Sequence, residues 1–193
     1  MTIATTTEYG VDEDSEYASR VTRSIIDCFM KRPSLEDHAI RTIACMANND
    51  LLMLRAGEEN PLTFDAAFAF IDQGRMRFLI SGCAAAYHFE EGRLVHRSDP
   101  GEASAIGTGV RYQPRLEAPF EIGRGKNVIL TASRCLAGTV PDAALEESLR
   151  GTEDPEAWME RLKALVGPGR QFCAVAAFLP TERPSMLKTM LRR

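Results

Sequence analysis

Hydrophobic and polar positions follow two periods along this chain, and the switches between them mark its elements. Thr2 to Thr7 is rich in β-branched side chains and predicts a strand. Ala18, Val21, Ile25, Cys28 and Phe29 then fall on one helical stripe. Pro33-Ser34 breaks that helix, and Ser34 with Asp37 three residues on resembles a capping box for a second one. Its apolar face is Ile40, Ile43, Ala44, Ala47, Leu51 and Leu54, and it stops near Gly57. From Asp65 the period becomes two. Phe68 and Phe70 alternate with Ala69 and Ile71, Asp72-Gln73-Gly74 turns the chain, and Met76, Phe78 and Ile80 alternate again. Ala84 to Phe89 continues as strand, and Glu90-Glu91-Gly92 turns into Arg93 to Arg97, which predicts an antiparallel meander of about four strands.

Residues 98–125 are punctuated by Gly and Pro and predict loop with one short strand. Val128 to Ala132 reads as a strand, Pro141 to Arg150 as a short helix, and Asp154-Pro155 as the N-cap and first residue of another. That helix carries Trp158, Leu162, Leu165 and Val166 to Gly167, and Cys173 to Leu179 is a last apolar strand. The tail places Met186, Leu187, Met190 and Leu191 on one helical side beside Arg183, Lys188, Arg192 and Arg193; docking on its own domain is favoured over binding a partner. The order predicts an α+β chain with sheets packed together and helices outside: a single domain over 1–180 and a basic amphipathic tail over 181–193.

Composition narrows the classes. The 193 residues are 45% hydrophobic and 26% charged, enough to bury a core without disulfides or a structural metal. A formal charge of −4 argues against a nucleic-acid or anionic-membrane surface. No stretch of 18 apolar residues and no leader-like segment occurs. Five scattered cysteines, Cys28, Cys45, Cys83, Cys135 and Cys173, read as buried thiols of a cytoplasmic protein. His38, His88 and His96 share no metal-ligand spacing, and surface positions are their default. Asp12-Glu13-Asp14 fits no EF-hand loop and reads as a solvated helix N-terminus.

Four local motifs in order carry a resemblance. Arg77-Phe-Leu-Ile-Ser-Gly-Cys-Ala-Ala-Ala-Tyr-His-Phe-Glu-Glu-Gly-Arg-Leu-Val-His-Arg-Ser-Asp99 resembles a signature stretch of PPM-type (type 2C) metal-dependent serine/threonine phosphatases, where a strand ends in Gly-Asp-Ser-Arg-Ala-Tyr before a hairpin. Tyr9-Gly10-Val11 with Ser15-Glu16-Tyr17-Ala18-Ser19 is similar to the family's Asp-Gly-Met-Gly-Gly turn and the helix start after it. Leu130-Thr-Ala-Ser-Arg-Cys-Leu136 is similar to the strand ending in Ser-Asp-Gly-Leu, and Trp158 to Leu179 occupies the place of the Asp-Asn-x-Thr strand. Each motif is degenerate, so the signal is their order over residues 9–179. The resemblance implies an α-β-β-α sandwich, two central antiparallel sheets flanked by helices. It also implies Mg²⁺ or Mn²⁺ ions held by carboxylates that orient water onto phosphoserine or phosphothreonine.

The resemblance places the metal ligands where this chain has none. The first Asp corresponds to Tyr9, with Gly10 kept; the Asp after Gly82 is Cys83, followed by Ala84 and Ala85; the third Asp is Arg134. Between Gly169 and Ala174 there is no Asp or Asn, and the eight residues before Tyr9 leave no counterpart for the family's N-terminal strand pair. A guanidinium about 4 Å from a divalent ion, at an effective dielectric of about 20, repels it by on the order of 8 kcal/mol. The expectation is an N-terminally truncated pseudophosphatase of bacterial type without cofactor or catalytic residues. It would act by binding a kinase, a phosphoprotein or a true phosphatase. Two enzymatic alternatives stay open: a divergent phosphatase with ligands among Asp12, Asp14, Asp65 and Asp99, and an N-terminal-nucleophile hydrolase using Thr2.

Overall fold

Alternation in the Phe64–Asp72 strand decides how the layers stack. Phe64, Ala66, Phe68 and Phe70 point to one side and pack with two helices, while Ala67 and Ala69 point to the other and meet a second sheet. The structure, a computed structural model, describes residues 1–8, 15–54, 56, 63–98, 103–109, 111–152 and 154–179. The first sheet is antiparallel, with β1 (Thr2–Glu8) beside β2 (Phe64–Asp72), β2 beside β3 (Arg75–Ser81), and the two-residue strands β6 (Arg115–Leu116) and β7 (Phe120–Glu121) on β3. The second has the order β5 (Arg93–Ser98), β4 (Ala85–Glu90), β8 (Asn127–Ala132), β9 (Ala174–Leu179), also antiparallel.

Three apolar clusters correspond to the three layer interfaces. Helices α1 (Ser15–Lys31) and α2 (Asp37–Leu54) cover the first sheet with Ala18, Val21, Ile25, Phe29, Ile40, Ala44 and Leu51. Helices α3 (Arg134–Thr139), α4 (Asp142–Leu149) and α5 (Pro155–Val166) cover the second with Leu136, Leu145, Leu149, Trp158, Leu162 and Val166. Between the sheets lie Ile3, Ala67, Ala69, Met76, Phe78, Ile80, Ala84, Ala86 and Ile129. The described chain is therefore an α+β sandwich of two antiparallel sheets flanked by helices, as the pattern and the resemblance imply.

Several expectations need correction. The four-strand meander is two hairpins in different sheets: β2–β3 closes in the first, the chain crosses at Gly82-Cys83-Ala84, and β4–β5 closes in the second. The apolar character of β3 runs on into β4 through Gly82-Cys83-Ala84, so the sequence shows no break at the crossing. Residues 98–125 supply two short ladders on β3, not one, and the six-residue α3 had no visible period. Leu165 and Leu54 are 43% and 44% exposed, off their expected faces. The Ser34 hydroxyl accepts from Glu36 N at 3.3 Å, while the Asp37 carboxylate is taken by Arg41 (2.7 Å) and Arg77 (2.9 Å). Arg41, and behind it Arg77, holds the Asp37 carboxyl below the usual carboxylate range. The tail over 181–193 lies outside the described residues.

One buried polar side chain ties a loop to this frame. Asn48 of α2 accepts from Gly107 N at 2.8 Å and donates to Gly109 O at 3.1 Å, holding the loop that covers Phe64 and Ile106. Asn48→Ala leaves the buried Gly107 N–H and the half-buried Gly109 carbonyl without it and is expected to cost about 1–3 kcal/mol, read as a lower urea midpoint at unchanged slope.

Candidate functional site

Of the positions singled out by sequence, the described ones, Gly82, Cys83 and Arg134, lie at the end of the sandwich where β2 begins and where β3, β8 and the path into β9 meet. The register β1–β2 sets Thr7 opposite Asp65, and β2–β3 sets Ala66 opposite Ser81, so the Gly82 turn lies over the start of β2. On the second sheet, Ala132 pairs with Ala174 at the same end.

The Gly82-Cys83 turn is held from three sides. Gly82 has φ +66°, and a Cβ there would lie 1.7 Å from Oδ1 of Asp65. Its N–H donates to Ser104 O at 3.0 Å. Beside it, the Ser81 hydroxyl and the Tyr112 phenol are 2.5 Å apart, and burial pushes the phenol well above its ordinary value despite that bond. Asp65 is 4% exposed with its carboxylate against the Gly82 backbone. Cys83 is half-buried, so its expected full burial is not observed; no cysteine is fully buried, Cys173 is exposed, and all five are free thiols.

The hydroxyls at this end are spent on one another. Thr5 Oγ1 donates to Thr131 O at 2.9 Å and lies 2.7 Å from Thr131 Oγ1. Because the Thr5 proton is committed to the carbonyl, the Thr131 hydroxyl is the donor in that second contact. Ser133 accepts from Cys173 N at 3.1 Å through its side chain and donates from its own N–H to Cys173 O at 2.8 Å, extending the β8–β9 ladder. The Ser133 side chain makes no cap on α3. Arg134 follows as the first residue of α3 and is exposed.

This donor set does not fit a hard divalent cation, which takes oxygen ligands from several carboxylates. Cys83 and Arg134 occupy two of the positions assigned to ligands; a thiol is a soft donor and a guanidinium is a competing cation. Among the described residues no group of three or more His, Cys, Asp or Glu side chains is arranged to hold a metal. Tyr9, Gly10, Asp12, Asp14 and Asp99 lie outside the described residues; of the alternative ligand set, Asp65 alone is described. Nor does a histidine serve these hydroxyls. His88 pairs in register with Ile129, toward the middle of β8, and His38 is exposed on α2. The default of surface histidines fails at His88, which is 2% exposed, because its strand position faces the other sheet. Thr2 sits at the opposite end of β1, paired with Phe70, and its hydroxyl is buried without a hydrogen-bond partner.

Of the residues singled out by sequence, Gly82, Cys83 and Arg134 lie at one end of the sandwich, where Ala85 pairs with Ala132. Sequence reasoning missed the Thr5–Thr131 and Ser133–Cys173 links and the Ser81–Tyr112 pair, which join residues 31 to 126 positions apart. The available signal was a polar residue two positions after an inward-facing isoleucine: Thr5 after Ile3, and Thr131 after Ile129.

Comparison with known proteins bears on the fold. No family model and no curated protein matches this sequence. Solved structures do. The serine/threonine phosphatase of S. agalactiae superposes with a TM-score of 0.74 at 12% identity, covering 91% of this chain and 85% of that one. The catalytic domain of the serine/threonine protein phosphatase PstP, in complex with two manganese ions, gives 0.69 at 16%, covering 93% and 88%. PppA of Pseudomonas aeruginosa, described as a key regulatory component of a type VI secretion system, gives 0.66 at 14%, covering 92% and 86%. At these identities the likeness establishes a PPM-type phosphatase fold. No helix among the described residues is long and apolar enough to cross a membrane.

Proposed function

We propose that this chain uses a PPM-type phosphatase fold without phosphatase chemistry, as a pseudophosphatase that binds a protein partner in phospho-signalling. The observation that carries the reading is the Gly82–Arg134 end of the sandwich. The Gly82 turn has a tight, left-handed backbone, and the resemblance aligns the Cys83 thiol and the Arg134 guanidinium with positions where the family has carboxylates. Among the described residues, Thr5 and Thr131 bond each other and Ser133 accepts from main chain, with no histidine beside them, which supports a reading without a nucleophile. What the end does present is an exposed Arg134 and a half-buried thiol on a well-fixed frame, which suits recognition better than turnover.

The role follows from that chemistry by elimination of the metal-dependent step. A fold that positions phosphorylated side chains and no longer activates water is left with binding. We infer a kinase, a phosphoprotein or an active phosphatase as the partner class, and the five free thiols support a reducing, cytoplasmic setting.

The decisive experiment is hydrolysis of an aryl phosphate and of phosphoserine and phosphothreonine peptides across a Mn²⁺ and Mg²⁺ titration, with calorimetry of metal binding in parallel. The expected result is no chelator-sensitive turnover and no saturable binding heat. Turnover comparable to an ordinary phosphatase would sink the reading in favour of a divergent enzyme.

A further inference from the structure

Two imidazoles lie inside the sandwich, away from the end just described. His88 of β4 and His96 of β5 are cross-strand partners. Both stack against Phe120 of β7, with ring centroids at 5.6 Å for His88 and 4.3 Å for His96, and Phe78 of β3 lies 5.6 Å from His96 and 5.4 Å from Phe120.

The hydrogen bonds fix the tautomer of His88. His88 Nε2 is 2.7 Å from Oδ1 of Asn127. The Asn127 amide has one orientation, because its Nδ2 donates to Gly123 O at 2.9 Å and to Gly125 O at 2.7 Å. An amide oxygen only accepts, so the neutral His88 ring carries its proton on Nε2 and leaves Nδ1 as a bare lone pair. His88 Nδ1 is buried without a partner, and so is His96 Nε2. A second proton on His88 must go to Nδ1, where no acceptor waits and water is excluded.

The charged groups around the pair are largely engaged elsewhere, including Glu117, which accepts from Ser98 Oγ of β5 at 2.9 Å and is paired with Arg115 at 2.7 Å. Glu90, on the same strand as His88, is the carboxylate that reaches it, and it packs against the Gly123 backbone. Arg97 of β5 turns to the other face, over the Tyr87 ring and onto Asp142. Glu121 of β7 pairs with Arg75 of β3, and Lys126 bonds Thr152 O. The other neighbours, Met76, Ile122, Ile129, Ala177 and Leu179, are apolar. Burial pushes the His88 imidazole below its ordinary value, His96 adds to that, and the Asn127 bond and Glu90 oppose it.

The element that closes over the pair has a short ladder, anchored at its start by Glu117, whose carbonyl accepts from Arg77 Nε and whose carboxylate accepts from Ser98 Oγ at 2.9 Å and pairs with Arg115 at 2.7 Å. β7 pairs with β3 through two residues, flanked by Glu117 N to Phe78 O (3.0 Å) and Ile122 N to Gly74 O (2.9 Å). Short ladders with few backbone bonds open locally at low cost.

We propose that His88 and His96 form an acid-sensitive clasp, in which a proton taken up by the pair drives Phe120 off the interior and opens residues 117–122 while the strands beneath stay paired. The sign follows from linkage: below about pH 6.5 the opened form binds more protons than the closed one, so each step down in pH favours opening. The clasp does not depend on the binding role proposed above.

Amide hydrogen exchange tests it, at about pH 7.5 and about pH 5.5 and corrected for intrinsic exchange. Expected is a loss of about tenfold in protection of 117–122 in acid, with β8 unchanged, and no such loss in His88→Gln/His96→Gln. Equal protection at both pH values, or an acid loss that persists in the double variant, would overturn the proposal. If that variant does not fold, ring ¹⁵N signals of the unsubstituted protein decide. Histidine protonation must track the opening of 117–122, and opening with both rings neutral would refute the clasp.

Discussion

Replacing Gly82 by alanine is expected to remove about 2–5 kcal/mol of stability, the sum of a left-handed backbone cost of roughly 1–2 kcal/mol and an overpacking cost of roughly 1–3 kcal/mol. At φ +66° any side chain is strained, and here the added methyl would also lie 1.7 Å from Oδ1 of Asp65. Asp65 has little room to retreat, being 4% exposed and flanked by its β1 partner Thr7. A double-mutant cycle separates the two causes. Asp65→Ala removes the obstructing carboxylate, so in Asp65→Ala/Gly82→Ala the steric part should vanish and the backbone part remain. We expect a coupling of about 1–3 kcal/mol in urea unfolding. Strictly additive losses would mean that the turn relaxes around the methyl and that Asp65 does not wall it.

That turn shows how far a sequence reading reaches. Gly82 was visible because a glycine followed an alternating strand in a motif of recognisable order. The reason for the glycine was not, since it depends on Asp65, seventeen positions earlier in another strand. The same limit applies to the sheets. Alternation in β2 through β5 gave each strand and each inward parity, yet it gave one meander where the structure has two hairpins in two sheets. Nothing at Gly82-Cys83-Ala84 differs in hydrophobicity from a hairpin corner; only the pairing of β4 with β8, thirty-odd residues on, reveals the crossing. The short strands β6 and β7 were too brief to show a period at all.

At the candidate site the legible part was substitution and the illegible part was partnership. Cys83 and Arg134 could be named because their neighbours Gly82 and Ser133 fit a motif. That Ser133 spends its hydroxyl on Cys173, and Thr131 on Thr5, are long-range facts. His88 is the sharpest failure of default reasoning. A lone histidine is usually at the surface, but the parity that buries Ala86 also buries His88, and Asn127 supplies the acceptor that makes this tolerable.

Trp158→Ala is expected to cost about 3–5 kcal/mol, the range for truncating a fully buried aromatic ring. Trp158 is 0% exposed and joins four elements. Its ring stands edge-on to Phe89 of β4 at 5.6 Å and to Phe178 of β9 at 6.1 Å, and its Nε1 donates to Ser148 Oγ of α4 at 2.8 Å. Ser148 in turn donates to Leu145 O at 2.8 Å, so α4 and α5 are fastened to each other and to the sheet through one side chain. Trp158→Phe keeps most of the apolar area and loses the indole bond, and should cost less, about 1 kcal/mol for that bond plus a smaller cavity. At roughly 2–4 °C per kcal/mol for a chain of this size, the alanine variant should melt about 6–20 °C lower by circular dichroism. Fluorescence cannot report it, since Trp158 is the sole tryptophan. The loss should also change behaviour after melting begins. β9 is a half-buried apolar strand with one neighbour, and Val175 is already 40% exposed. Without α5 seated on Phe178, that edge becomes a template for pairing with other chains, so the variant should aggregate on heating where the parent refolds. A loss below about 1.5 kcal/mol would show that the helices are held to this sheet chiefly by Leu145, Leu162 and Val166, with the tryptophan as filler.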